Sequence, residues 1–372
     1  MTGTIRLLCD IIKCYLNKTE PDFQFNEAQL SEVSRLARMH DVEHLVGTVL
    51  SSRNSSVSEA LFRSQMIAVM RAEQQSYERA RIYEQFENAK IDYIPLKGSV
   101  IREFYPEPWH RTSCDIDVLV REHDLNRATN ILVNHLGYEL QKKSDHDVSL
   151  MASDNVHLEL HYDFEEDNVS ASEIWEWSYS DNEACLHKIT AEVFIFCHLA
   201  HMAKHFKSGG CGFRGFIDLW IIEYNMPYNK DELWRMLEQK GLRRFADVAF
   251  ELVDCWFGDR EETPLVSRIT DYILGAGAYG STENHIAIGR AKKKTKQSYF
   301  FSRLFLTREQ LKYRYPILER SRFMLPICQV RRWIALVLEG KLRKAKREFE
   351  INANLKDSDI EYVEQLIKEL EI

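Results

Sequence analysis

The sequence predicts an α+β protein in which a small strand-containing unit lies between helical regions. Three observations carry this prediction. Apolar residues recur at helical spacing through residues 1–90, the pattern turns to period-two alternation between 91 and 165, and helical spacing returns from Ala191. The expected organisation is an N-terminal helical region over 1–90, an α/β core over 91–185 and a C-terminal helical domain over 186–372.

The elements follow in order. The opening MTGTIRLLCDIIKCYLNKTE is broken by Arg6, Asp10 and Lys13 and reads as an amphipathic helix, without the pattern of a cleaved leader. Asn26–Leu50 places Leu30, Val33, Leu36, Ala37, Val42, Leu45 and Val46 at helical spacing, and Ser58–Lys90 continues with Leu61, Met66, Val69 and Met70. Ile91–Leu96 reads as a short strand ending at Lys97-Gly98. Asp115–Val120 (DIDVLV) and Val156–Phe164 (VHLELHYDF) alternate as strands do. His123–Leu136 reads as a helix stopped by Gly137. Glu192–Lys207 and Phe216–Tyr224 are expected helices separated by the loop SGGCGFRG, and Thr307 with Gln310 forms a capping box. Tyr299, Phe300, Phe301, Phe305, Tyr313 and Tyr315 read as core.

Length and composition bound the function. A chain of 372 residues accommodates two domains or three modules, and 45% hydrophobic with 28% charged residues is an ordinary globular profile. The eight cysteines have no CxxC spacing, which predicts reduced thiols in a cytoplasmic protein and no cysteine zinc site. No apolar run reaches membrane-spanning length, so no membrane partner is expected. With a net charge of −8, a polyanion needs a local basic patch. The stretches 290–296 (RAKKKTK) and 341–347 (KLRKAKR) offer one to nucleic acid, although a solvated helix face is the favoured reading.

The chemistry concentrates at Asp115 and Asp117. Residues two apart in a strand share a face, so the two carboxylates project together while Ile116, Val118 and Val120 enter a core. Adjacent acids repel, and a divalent cation relieves that repulsion; oxygen donors suit magnesium, or manganese in its place. On the VHLELHYDF strand, Glu159 shares the polar face with His157, His161 and Asp163. If the two strands are neighbours, Glu159 supplies a third carboxylate, and three acids can hold two metal ions for in-line displacement at phosphorus. Upstream, Lys97, Gly98 and Ser99 form a turn suited to a phosphate, with a following helix expected to favour an anion; Lys97 or Arg111 can pair with phosphate charge.

The order of strand, GS turn, Asp-x-Asp strand and later acid resembles the nucleotidyltransferase superfamily. More closely, IPLKGSVIREFYPEPWHRTSCDIDVLV is similar to a bacterial family of uncharacterised nucleotidyltransferases through Leu96-Lys97-Gly98, Tyr105-Pro106, Arg111 and Asp115–Val120. The third-acid strand carries Glu159 where family members often have aspartate. HLAHMAKHFKSGGCGFRGFIDLWII resembles the family's His-x-x-x-His, arginine, aspartate segment. The resemblance implies a nucleotidyltransferase-type mixed sheet. It also implies metal-dependent transfer from a nucleoside triphosphate, ATP being the expected donor, to an acceptor it does not identify. It makes Asp115, Asp117 and Glu159 both catalytic residues and metal ligands. The spacing from Gly98-Ser99 to Asp115 is long for the superfamily, and the inserted FYPEPWHRTSC is expected to form a loop over the site.

Other residues keep two readings. His198, His201 and His205 share one helical face, either touching substrate or packing on the α/β unit. HMAKH lacks the glutamate of a HExxH zinc site. Arg214 and Asp218 are expected to pair as buried ions, and His146-Asp147 to lie in a loop. The alternative to catalysis is a non-catalytic nucleotide-binding or regulatory protein of toxin–antitoxin type on the same scaffold.

Overall fold

The computed structural model describes residues 3–372 except 52–58, 165, 167, 182–183, 279, 294, 339 and 341. Ser58, Lys294 and Lys341, which belong to expected segments, therefore lie outside the described residues.

Among the described residues the chain opens with α1 (Gly3–Asn17), α2 (Glu27–Met39), α3 (Glu43–Leu50) and the long α4 (Glu59–Ala89). The amphipathic start is a helix burying Ile5, Leu8, Ile11, Ile12 and Tyr15. Asn26 caps α2 through a full capping box. Strand β1 (Tyr93–Pro95) follows, then α5 (Gly98–Ile101), β2 (Asp115–Val120), α6 (Leu125–Asn134), β3 (Glu139–Lys143), β4 (Asp147–Met151) and β5 (His157–His161). Next come α7 (Ala171–Glu176), the hairpin β6 (Ser178–Ser180) and β7 (His187–Ile189), α8 (Ala191–Lys207) and α9 (Phe213–Asn225). The remaining helices are α10 (Lys230–Gln239), α11 (Arg243–Phe257), α12 (Pro264–Leu274), α13 (Thr282–Lys293), α14 (Lys296–Leu304), α15 (Arg308–Leu311), α16 (Ile317–Arg320), α17 (Leu325–Leu338), α18 (Leu342–Asn354) and α19 (Asp357–Glu369).

The main sheet has the order β1-β2-β5-β4-β3. Among the described strand pairs of this sheet β2 and β5 run parallel and the others antiparallel, so the sheet is mixed. One face of the sheet, with Ile116, Val118, Val120, Leu158 and Leu160, packs on Ile82 and Phe86 of α4 and on Leu125 and Leu132 of α6. A larger core joins α1–α3 to α8, α9, α11 and α12, and Leu119 and Ile94 enter it from the sheet's other face. The acids of β2 thus stand on the side of the sheet that looks toward α8 and α9. The fold is α+β with helical flanks, as the sequence predicts.

Differences from expectation have local causes. β5 stops at His161 because Tyr162 and Asp163 both donate their amides to the His146 carbonyl, leaving the ladder. β3, ELQKK, is exposed at every residue and carries no apolar alternation. The FYPEPWHRTSC segment docks on the N-terminal helices instead of arching over the site. The Tyr15 hydroxyl lies 3.0 Å from His110 Nδ1, and His44 Nε2 lies 2.8 Å from the His110 carbonyl. Of the aromatics expected in the core, Tyr299 is buried, but Phe301, Phe305 and Tyr313 are exposed. All eight cysteines are free.

This docking makes stability pH-dependent. Burial, then the nearby His44, pulls the His110 pKa down to about 4. Its unfolded value is ~6.5. The depressed folded pKa means the unfolded chain takes up the proton first. The contribution is therefore whole above pH ~6.5 and lost as pH falls toward 4. Burial lowers His40 and His198 in the same direction. Urea unfolding at pH 5 should give a free energy lower than at pH 7.5 by about 2 kcal/mol from His110 alone. His161, which burial would lower but Asp117 and Glu159 raise, acts with the opposite sign, so the comparison is with a His110→Asn variant, and an equal pH dependence in the two chains would contradict the buried neutral state.

Candidate active site

β1 ends in the turn that carries Lys97, whose φ of 46° and ψ of −120° lie where side-chain-bearing residues are rarely found. Holding such a residue there costs on the order of 1–3 kcal/mol and persists only where the surroundings enforce it. The enforcement is visible: Leu96 donates its amide to the Asp117 carbonyl, and Lys97 Nζ reaches Asp117 Oδ1 at 2.8 Å. At Gly98 a Cβ would stand 3.2 Å from Ser113 Oγ, so the turn packs tightly on the strand entrance. The helix that follows, α5, is a single turn of four residues. That is too short for the anion-favouring dipole expected of it. Ser99 is buried beside Tyr83, and the cavity wall takes Lys97 and Gly98 from this turn but not Ser99.

Parallel pairing of β2 with β5 sets Asp117 opposite Glu159 and Asp115 opposite His157. With neighbouring strands ~4.8 Å apart, side chains on the shared face are in reach of one another. Two triads result, Asp115–His157–Glu159 and Asp117–Glu159–His161, each with candidate ligand atoms within 4.8 Å of one another. Glu159 belongs to both. The acids therefore come together as two groups, each completed by a histidine that the sequence placed on the polar face but left outside the ligand set.

Charge is tightly arranged here. Burial alone would raise the Asp117 pKa, but Lys97 and His161 hold it far below the usual carboxylate range. His161 Nε2 lies 2.9 Å from Asp117 Oδ1 and 3.5 Å from Glu159 Oε2. Its Nδ1 is buried with no partner among the described residues. Burial opposes the Lys97 charge, yet Asp117, with Glu159 and Asp115 beyond it, raises its pKa. Asp115 is pushed up by burial and by the Asp117 charge, while Glu159 is lowered, first by its bond to His161. One strand thus holds a firmly ionised aspartate beside one whose charge is disfavoured.

Across a cavity of ≈ 540 Å³ stand His201, His205 and Arg214. His201 Nδ1 lies 2.8 Å from Glu166 Oε1, and its Nε2 lies 2.9 Å from His205 Nε2. Burial and the Lys97 charge lower the His201 pKa to about 3, so Nδ1–H of the neutral ring donates to Glu166. His198, on the same cavity wall, bonds the Gly215 carbonyl at 2.9 Å. His146, in the turn before β4, lines the cavity as well, while Asp147 is already in the strand.

The expected Arg214–Asp218 pair does not form. Arg111 Nε instead donates to Asp218 Oδ1 and Oδ2 at 2.7 and 2.9 Å, and the Tyr105 hydroxyl adds a bond at 2.7 Å. Arg214 reaches out to Asp41 at 2.6 Å. The reason is desolvation: a fully buried carboxylate needs the nearest buried guanidinium, and α9 turns Arg214 toward α2. The Arg111 guanidinium, expected to meet phosphate, is therefore committed to Asp218. Sequence reasoning missed Glu166 and Asp41, which sit in connecting segments without periodicity. It also passed over His157, whose period-two position was the available signal.

A family model described as Uncharacterised nucleotidyltransferase matches residues 26–258. No curated protein and no solved structure matches the chain.

Proposed function

Because the chain belongs to the uncharacterised nucleotidyltransferase family, we propose that it moves a nucleoside monophosphate group from a nucleoside triphosphate, ATP as expected donor, to an acceptor hydroxyl. The observation that supports this most is the pair of triads sharing Glu159 on adjacent parallel strands.

The residues fit a divalent cation. Asp115 has its pKa raised by burial and then by Asp117, a repulsion that a bound cation relieves. Carboxylate oxygens of Asp115, Asp117 and Glu159 would hold magnesium or manganese, with His157 and His161 at their sides. When bound, such an ion neutralises charge on the transferring phosphorus group and on the departing pyrophosphate. Lys97, on the cavity wall with its side chain 31% exposed, presents an ammonium to the triphosphate. Glu159, kept ionised by His161, accepts the proton of the attacking hydroxyl. The His201 wall bounds the space left to the acceptor. The remaining catalysis is positioning of two reactants in a walled cavity.

The test is incubation with each α-labelled nucleoside triphosphate and magnesium, with cell lysate as acceptor source. Metal-dependent labelling of one fraction is expected; no labelling with any triphosphate overturns the proposal. A non-catalytic nucleotide-binding role has one observation behind it, since Lys97 and His161 both occupy the same Asp117 oxygen. Calorimetry separates the two readings: nucleotide binding indifferent to magnesium would favour the non-catalytic one. No helix among the described residues is long and apolar enough to cross a membrane.

A further inference from the structure

Helix α17 is turned inside out. Its buried residues are Cys328 and Gln329, and Arg332 on its inner side bonds the Leu304 carbonyl at 2.6 Å. Its outward stripe, starting just before the helix, runs through Phe323, Ile327, Val330, Ile334 and Val337 and widens at Leu338. Phe323 is 93% and Leu338 81% exposed. The apolar surface continues sideways: the Phe305 ring lies 5.4 Å from Trp333, and Phe301 lies 6.4 Å beyond it. Eleven of the twenty exposed large hydrophobic residues described fall between Phe301 and Leu342. An ordinary monomer surface does not gather them so.

The same segment is intensely basic. Residues 290–347 hold 18 lysines and arginines against three acids, Glu309, Glu319 and Glu339, in a chain whose net charge is −8. Arg320, Arg322 and Arg331 are exposed along the stretch that carries the apolar stripe, and Arg343 and Arg347 are exposed on the next helix.

We propose that this face seats the protein on an anionic phospholipid surface, apolar side chains entering the interface while the arginines meet the headgroup phosphates. Apolar area and basic charge together are what interfacial binding requires, and long basic side chains reach outward while their stems stay apolar. A second copy is disfavoured, since it would press two basic rims together. The sequence expectation of no membrane partner rested on the absence of a spanning segment, which surface binding does not need. Lys312, in the same basic segment, acts on the charge of a residue next to the cavity wall. The Asp145 carboxyl, which burial would raise, is held low by His146, and Lys312 adds to this from beside α15; His146 itself lines the cavity.

Sedimentation of the full chain with vesicles tests this. Binding is expected to vesicles of phosphatidylglycerol mixed with phosphatidylcholine and to weaken with salt, with little binding to phosphatidylcholine alone. Ile334→Asp with Leu338→Asp, and separately Arg320→Glu with Arg322→Glu, should each weaken binding roughly tenfold or more. These side chains are exposed, so circular dichroism and nucleotide calorimetry should match the parent chain. Failure to sediment with the anionic vesicles, or variants that bind as the parent does, overturns the proposal. So does a dimer in velocity sedimentation that Ile334→Asp dissolves, or capture by an acidic protein with no vesicle binding. Because the assay needs no catalysis, its outcome is independent of whether nucleotidyl transfer is found.

Discussion

Asp117→Asn should reduce nucleotidyl transfer by roughly a thousandfold or more while the chain still unfolds in one cooperative step. Asparagine keeps the shape and one carbonyl oxygen but removes the charge on which Lys97 and His161 converge, at 2.8 and 2.9 Å. It also takes a ligand from the Asp117–Glu159–His161 triad. The fold should survive because the Asp115 and Glu159 charges still act on Lys97. Pyrophosphate release and a melting curve on the same preparation read the two effects. Wild-type turnover would refute the assignment. If this variant proves insoluble, Glu159→Gln decides the matter, since Glu159 is only half-buried yet shared by both triads.

The largest loss of stability is expected at Asp218, not at the acids of β2. Its side chain is 1% exposed and that of Arg111 9%. Asp218→Ala leaves the Arg111 guanidinium in the interior without an anion and the Tyr105 hydroxyl without its acceptor. Breaking a buried pair in this way costs about 3–5 kcal/mol. Exchanging both partners for apolar residues of similar volume, Arg111→Met with Asp218→Leu, should recover most of that loss, because no charge is then stranded. Urea denaturation of the two variants measures both numbers. A loss below about 1 kcal/mol in Asp218→Ala would show that the pair is not desolvated as the structure has it.

These two carboxylates show how differently site and scaffold are written into the chain. Asp115, Asp117 and Glu159 were legible because strand periodicity is local: DIDVLV and HLELH each declare a polar and an apolar face without reference to the rest of the protein. The helical flanks were legible for the same reason, as were the capping box at Thr307 and Gln310 and the stop at Gly137. Asp218 carried no such mark. Its partner is 107 residues away, and the sequence offered Arg214, four residues away, as the nearer choice. β3 was invisible because ELQKK is exposed throughout and is recruited by the hydrogen bonds of β4, not by burial of its own side chains.

The sequence by itself determined the α+β order, the sidedness of β2 and β5, and the family. Each follows from short-range pattern, in which side-chain direction repeats with the backbone. Only the tertiary structure decided the parallel register that seats Glu159 opposite Asp117, the histidine that completes each triad, the Arg111–Asp218 pair, and the outward turn of α17. Those depend on which distant surfaces lose their water to one another. Desolvation is a property of the assembled chain, and no window of neighbouring residues contains it.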